Sequence, residues 1–279
     1  MQRIWCAVVL AAVALTASSP NARQGDPADL HTPLDRILDT YVRDGYVYYN
    51  ALKAGRAALD RYVTSLDVAP ELVARMTEND RRAFWVNAYN ALVLRTVINA
   101  YPINGKATTF PAKSVGQVPG AFDKVGHRVA GQVLTLDEIE KLIAAWGDAR
   151  LLLALGRGSI GSARLRSEVY RGARLEEQLA DAVKGFVRSA RNFSLDRDAA
   201  TLKVTPLLSW RGPLFTASFA GAPGSEAWAN RTPLERAIVA MAYPHLTPSE
   251  KAVLALNTFQ MSFGEFDWRL NDLTGGIPE

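Results

Sequence analysis

Phe84-Trp85-Val86-Asn87-Ala88-Tyr89-Asn90-Ala91-Leu92-Val93-Leu94 is the stretch whose reading decides the fold. It follows a polar start at Glu78, Asn79 and Asp80 and continues to Tyr101-Pro102, where proline ends any helix. A helix that is apolar all round belongs inside a core, not on its surface. Asn87 and Asn90 stand three apart and share a face that Leu94, Val97 and Ile98 extend. Amides in such a place must find partners, and buried amides usually satisfy backbone groups. Both asparagines therefore read first as ties between loops and the helix, with substrate orientation as the alternative.

Working outward, Thr32-Pro33 opens a helix whose stripe is Leu34, Ile37, Leu38, Tyr41 and Val42, and Gly45 ends it. Val47-Tyr48-Tyr49 reads as a short extended piece, and Leu59, Tyr62, Val63 and Leu66 mark another helix. Residues 104–119 are polar and aperiodic, which suits a functional or mobile loop. Residues 125–129 and 132–134 can pair as a hairpin around Ala130-Gly131. Thr135-Leu136-Asp137-Glu138 is a capping box that launches a helix toward Gly147. Residues 151–155 are a short apolar run, strand or helix. Leu175, Leu179, Val183, Phe186 and Val187 form a further amphipathic stripe, and residues 193–195 and 202–204 read as a second hairpin. Thr232-Pro233-Leu234-Glu235 and Thr247-Pro248-Ser249-Glu250 each start a short helix. Helices outnumber strands, so the expected fold is a helix-rich α+β single domain with short hairpins.

The N-terminus reads as a secretory signal over residues 1–22. Arg3 precedes an apolar run over residues 4–15, and small residues follow around Ala17. The run is shorter than the roughly 20 residues a membrane span needs, and an uncleaved membrane anchor is the alternative reading. Cys6, the only cysteine, lies within it, so cleavage would leave a chain without disulfides or thiolates. Export to the periplasm or the extracellular space is the expectation, with no transmembrane span once the signal is removed. Residues 23–43 then form a polar N-terminal segment and the first helix. The net charge of +4 is scattered among interleaved acids, without the aromatic-studded basic stripe of a nucleic-acid binder.

The central run resembles the signature of the DUF547 family, a domain of unknown function, and the resemblance extends in order along the chain. Val47-Tyr48-Tyr49-Asn50-Ala51-Leu52 is similar to the family's V-D-Y-x-x-L, with Tyr48 at the acidic position. Leu134-Thr135-Leu136-Asp137-Glu138-Ile139-Glu140 resembles its L-S-L-D-D-I-E, and Phe266-Asp267-Trp268-Arg269-Leu270-Asn271 its Y-D-W-S-L-N. The resemblance implies a DUF547-like domain over residues 44–271, followed by a tail over residues 272–279. One segment departs. Many relatives carry a His after the I-E pair, where this chain has Lys141, and then H-F-A-L-x-C-A-S-x-x-C-P. The corresponding residues 152–163 lack both cysteines, the histidine and the proline, so with Lys141 both histidines are absent. Thiol–imidazole chemistry, if relatives use it there, cannot run here in the same way.

Gly156-Arg157-Gly158-Ser159-Ile160-Gly161 formally matches G-x-G-x-x-G, yet no repeated strand–helix–strand pattern surrounds it. A tight glycine turn is the plainer reading, and an anion pocket of backbone N–H groups with Arg157 lies between the two. Ser159 and Ser162 do not sit in G-x-S-x-G, and the three histidines, His31, His127 and His245, read as ordinary surface or turn residues. No histidine pair has metal-ligand spacing, and no cofactor or metal is expected. Asp137 and Glu138 serve the helix start, while Glu140 falls one step inward as a buried acid suited to an arginine. Trp210-Arg211 and Asp267-Trp268-Arg269 read as tryptophans packed under arginines. The ligand-binding candidates are Asn87, Asn90, Glu140, Arg157, Ser159 and Trp210, of which all but Ser159 are expected to converge on one groove. The leading functional expectation is a non-catalytic protein that binds a small anionic ligand or an envelope protein. The alternative is a hydrolase using Ser159 or Glu140.

Overall fold

The computed structural model describes residues 30–276. The expected signal, Cys6 and most of the polar N-terminal segment fall outside that range, as do residues 277–279 of the tail.

The apolar run lies at the middle of the long helix Glu78–Ala100, in which every residue from Ala83 to Leu94 is buried. Thr77 caps it by accepting from the Asp80 N–H, and Tyr101 turns extended ahead of Pro102. The helices Thr32–Tyr41, Tyr49–Ala54, Ala57–Ser65 and Leu136–Ala144 gather around this axis and bury their apolar stripes. Fully burying one Leu, Val or Phe contributes about 1.5–3 kcal/mol. One continuous core runs from Leu34 to Leu270, so the N-terminal helices and the C-terminal strand segment share it.

The fold is a helix-rich α+β structure, as the spacing predicts. Three Thr-x-x-Glu capping boxes, at Thr135, Thr232 and Thr247, each close reciprocally with the Glu three residues on. The first expected hairpin pairs His127–Val129 with Gln132–Leu134. Its turn places Ala130 at φ 50° and Gly131 at φ 71°, the doubly left-handed geometry that matches strand twist. The second pairs Phe193–Asp196 with Thr201–Val204.

Three segments differ from the expected reading. Gln260–Phe263 adds a strand parallel to Thr201–Val204, a pairing between distant segments that no hairpin signal announces. The extended piece near Tyr49 is only Tyr46–Val47, because Tyr49 starts a helix and buries its ring beside Tyr101. Residues 151–155 are neither α-helix nor strand; most lie in the 3-10 helix Ala149–Ala154, capped by the Asp148 carboxylate. Among the described residues, no helix is long and apolar enough to cross a membrane.

Candidate functional site

Asn87 and Asn90 act as clamps on one face of the central helix. The Asn87 amide donates to the Tyr170 carbonyl at 2.8 Å and accepts from the Tyr170 N–H at 2.9 Å. Asn90 donates to the Ala154 carbonyl at 3.0 Å and accepts from the Gly156 N–H at 2.8 Å. The same face then supports the glycine loop, where a Cβ on Gly158 (φ 70°) would meet the Val97 side chain at 3.2 Å. Both the left-handed backbone and the close approach require glycine there. The chain between Ala154 and Tyr170 is therefore pinned at both ends by side chains of one helix.

This pinning uses the loop's own donors. Besides Gly156, the Ile160 N–H reaches the Arg269 carbonyl, the Gly161 N–H the Asp267 carbonyl and the Ser162 N–H the Ser159 carbonyl. Four of the loop's N–H groups are thus spent on the fold, and the loop does not join a strand to a helix as a dinucleotide turn would. It is a glycine turn bonded to the C-terminal segment.

The charged groups meet on the outer side of the loop. Glu140, 6% exposed on Leu136–Ala144, receives an Arg157 Nη1 hydrogen bond on one oxygen. Its other oxygen accepts from Arg211 Nε at 3.1 Å. The carboxylate is thus held by two guanidiniums, and Asp137 stands 3.8 Å from Arg157 Nη2 on its exposed side. Arg157 also stacks over the Phe122 ring, 4.7 Å from its centroid. Tyr89, fully buried on the central helix, has a hydroxyl with no hydrogen-bond partner that senses this charge cluster, and burial keeps it protonated. Sequence reasoning passed over Tyr89; the one signal available was a hydroxyl inside an otherwise apolar run.

Trp210 ends the short helix Leu207–Trp210 and Arg211 follows it, reaching Glu140. Together with Leu152, Leu155, Leu207 and Phe215 they line a narrow cleft whose interior holds about 20 Å³. That is room for one small polar group. Trp210 is 41% exposed and stacks on Trp268 at 5.8 Å and 23°, with Phe266 at 4.8 Å. Phe110, from the aperiodic loop, meets the Trp268 edge at 5.1 Å. The expectation of tryptophans under arginines is corrected here. The rings pack on one another, while Arg211 turns to Glu140 and Arg269 to Asp267.

The expected groove is therefore divided. Glu140, Arg157 and Trp210 share the cleft, and Asn90 holds its edge through Gly156. Asn87 is engaged with Tyr170, and Ser159 lines a different cavity. The reading of His31 and His127 as surface or turn groups also needs correction, while His245 is part-exposed at the short helix Tyr243–His245. His31 is 5% exposed and bonds Tyr62 Oη at 2.8 Å; His127 is 3% exposed beside Arg95. Burial, with the nearby arginine second, lowers each to about 4. Among the described residues, no side-chain hydrogen bond joins a histidine to Ser159, Ser162 or Glu140. No group of three or more His, Cys, Asp or Glu there could hold a metal ion.

No curated protein and no solved structure matches the chain. Residues 73–187 match the family described as "Protein of unknown function, DUF547". The match takes in the central helix, the capping-box helix of Glu140 and the glycine loop, and leaves out the segment of Trp210 and Trp268. The family match over these elements assigns a DUF547 domain to residues 73–187 of the chain.

Proposed function

We propose that the chain is an exported protein that binds a small anionic ligand in the Glu140–Arg157–Arg211 cleft. One observation carries the reading: a buried carboxylate aligns two guanidiniums at the mouth of an apolar cleft. Glu140 fixes both arginines, and the Arg211 side chain, 38% exposed, keeps further N–H donors toward solvent. Arginine donors held in place this way suit bidentate recognition of a carboxylate or phosphate. The size of the cleft restricts what enters to the acid head. The body of the ligand then lies outside, against the flat face of Trp210, and a ring is the shape that fits. Binding is favoured over hydrolysis because Ser159, Ser162 and Glu140 have no histidine hydrogen-bonded to them among the described residues. Export rests on the apolar run over residues 4–15 behind Arg3.

The test is a thermal-shift panel of benzoate, hexanoate, glucuronate and sugar phosphates, followed by calorimetric titration. A ligand at 100 times its Kd stabilises by about 2.7 kcal/mol, and Arg211→Gln and Trp210→Ala should each reduce that shift. A panel that moves neither the parent protein nor the variants overturns the reading.

A further inference from the structure

Ser159 lies outside the cleft because it faces other company. A separate cavity of about 100 Å³ lies among the turn at Asp44–Tyr46, the stretch from Ser159 to Arg164, the end of helix Leu175–Arg188 and the start of the second hairpin. Two of its lining groups are buried and lack partners: the Ser159 hydroxyl, 1% exposed, and the Asn192 side-chain carbonyl, 6% exposed. A buried polar atom left unpaired is costly, so each such group calls for a specific explanation. The two lie on segments far apart in sequence, yet they line one cavity.

Charge points the same way. Arg191 at this cavity makes no ion pair among the described residues; its bonds are long, 3.4 Å to the Ile160 carbonyl and 3.3 Å to Tyr46 Oη. Arg164 is paired with Asp44 at 2.8 Å on the exposed rim. Asp267, which feels Arg191 from further away, is closed on Arg269 at 2.8 Å. Counting Arg191, Arg164 and Asp44, the cavity carries one excess positive charge. Two other polar side chains there are already engaged. Ser162 Oγ donates to the Ser159 carbonyl, and Asn271 joins Tyr49 to the Gly45 carbonyl.

We propose that this cavity is a second binding site, for a small oxyanion that also carries a hydroxyl. Arg191 and the Ser159 hydroxyl donate to the anionic oxygens, and the ligand's own hydroxyl donates to the Asn192 carbonyl. The volume limits the ligand to a few heavy atoms. Hydrogenphosphate and a two-carbon hydroxy acid both meet these terms.

The experiment is calorimetric titration of the full chain with inorganic phosphate, glycolate and acetate at matched ionic strength, with melting curves to verify folding. Phosphate or glycolate should bind saturably, and acetate, which has no hydroxyl, should bind more weakly than glycolate. Arg191→Ala and Ser159→Ala should each weaken binding about tenfold, the usual effect of losing a hydrogen bond to a charged group. Arg211→Gln, in the cleft, should leave it unchanged. The proposal is overturned if neither phosphate nor glycolate binds, or if either Arg191→Ala or Ser159→Ala leaves affinity intact. It is equally overturned if Arg211→Gln abolishes the same binding, or if acetate equals glycolate.

Discussion

The amides of the central helix and the polar groups around Ser159 are equally buried, yet they are used in opposite ways. Asn87 and Asn90 spend both ends of their amides on backbone groups of Tyr170, Ala154 and Gly156. Ser159 and Asn192 keep an atom unpaired beside a cavity. Burial alone does not separate a structural polar residue from a binding one; what separates them is whether the fold itself completes their hydrogen bonds. The Glu140 cluster stands between the two, because the carboxylate is fully engaged while Arg211 retains donors at the surface.

The largest effect should come from breaking the saturated side. Asn87→Leu or Asn90→Leu leaves one buried N–H and one buried carbonyl unpaired in each case. At about 1–3 kcal/mol per group, each variant should lose roughly 2–6 kcal/mol in urea unfolding. A loss below about 1 kcal/mol would mean that the loop is held by other means.

Next is acid. His31 and His127 are lowered to about 4 in the fold, against about 6.5 for an unfolded histidine. Between those values the unfolded chain binds more protons, so stability falls as pH drops from about 6.5 through about 4. Full protonation costs up to roughly 3 kcal/mol per histidine, and urea midpoints measured across this window should show it. His31→Gln should flatten its share of the slope, which an unchanged profile would contradict.

The cleft should separate affinity from stability. Arg211→Gln is expected to weaken an acid ligand about tenfold, or ~1.4 kcal/mol. Its melting temperature without ligand should fall by a few degrees at most, because Arg157 still pairs the Glu140 carboxylate. Equal losses in both measurements would make Arg211 structural. The smallest effect belongs to Ser159→Ala, which removes an unpaired buried hydroxyl. Unfolding free energy should stay within about 1 kcal/mol of the parent, on the stabilising side. A large loss would show that the hydroxyl has a partner in the folded protein, and the contrast with Asn87 would disappear.

Much of the fold could be read from the chain because its signals are local. The central helix, the three capping boxes and the Ala130-Gly131 turn rest on neighbours within a few residues, where spacing and backbone preference suffice. The pairing of Glu140 with an arginine was also legible, since its step on the helix points inward beside acids that serve the cap. That Arg211 as well as Arg157 would take that carboxylate was not, because Arg211 is 71 residues away in sequence. The histidines misled for a similar reason. His31 sits beside a polar segment, and its burial against Tyr62 and Phe84 depends on two other helices.

By itself, then, the sequence determined that an all-apolar helix carries two amides and that they would tie loops to it. The tertiary structure alone decided that Glu140, Arg157 and Trp210 share a cleft while Ser159 lines a separate cavity. Helical period and capping act over a turn or two, so a single chain declares them directly. Which guanidinium reaches which carboxylate, and which hydroxyl is left unpaired, depends on contacts between segments far apart, and those exist only once the core has closed.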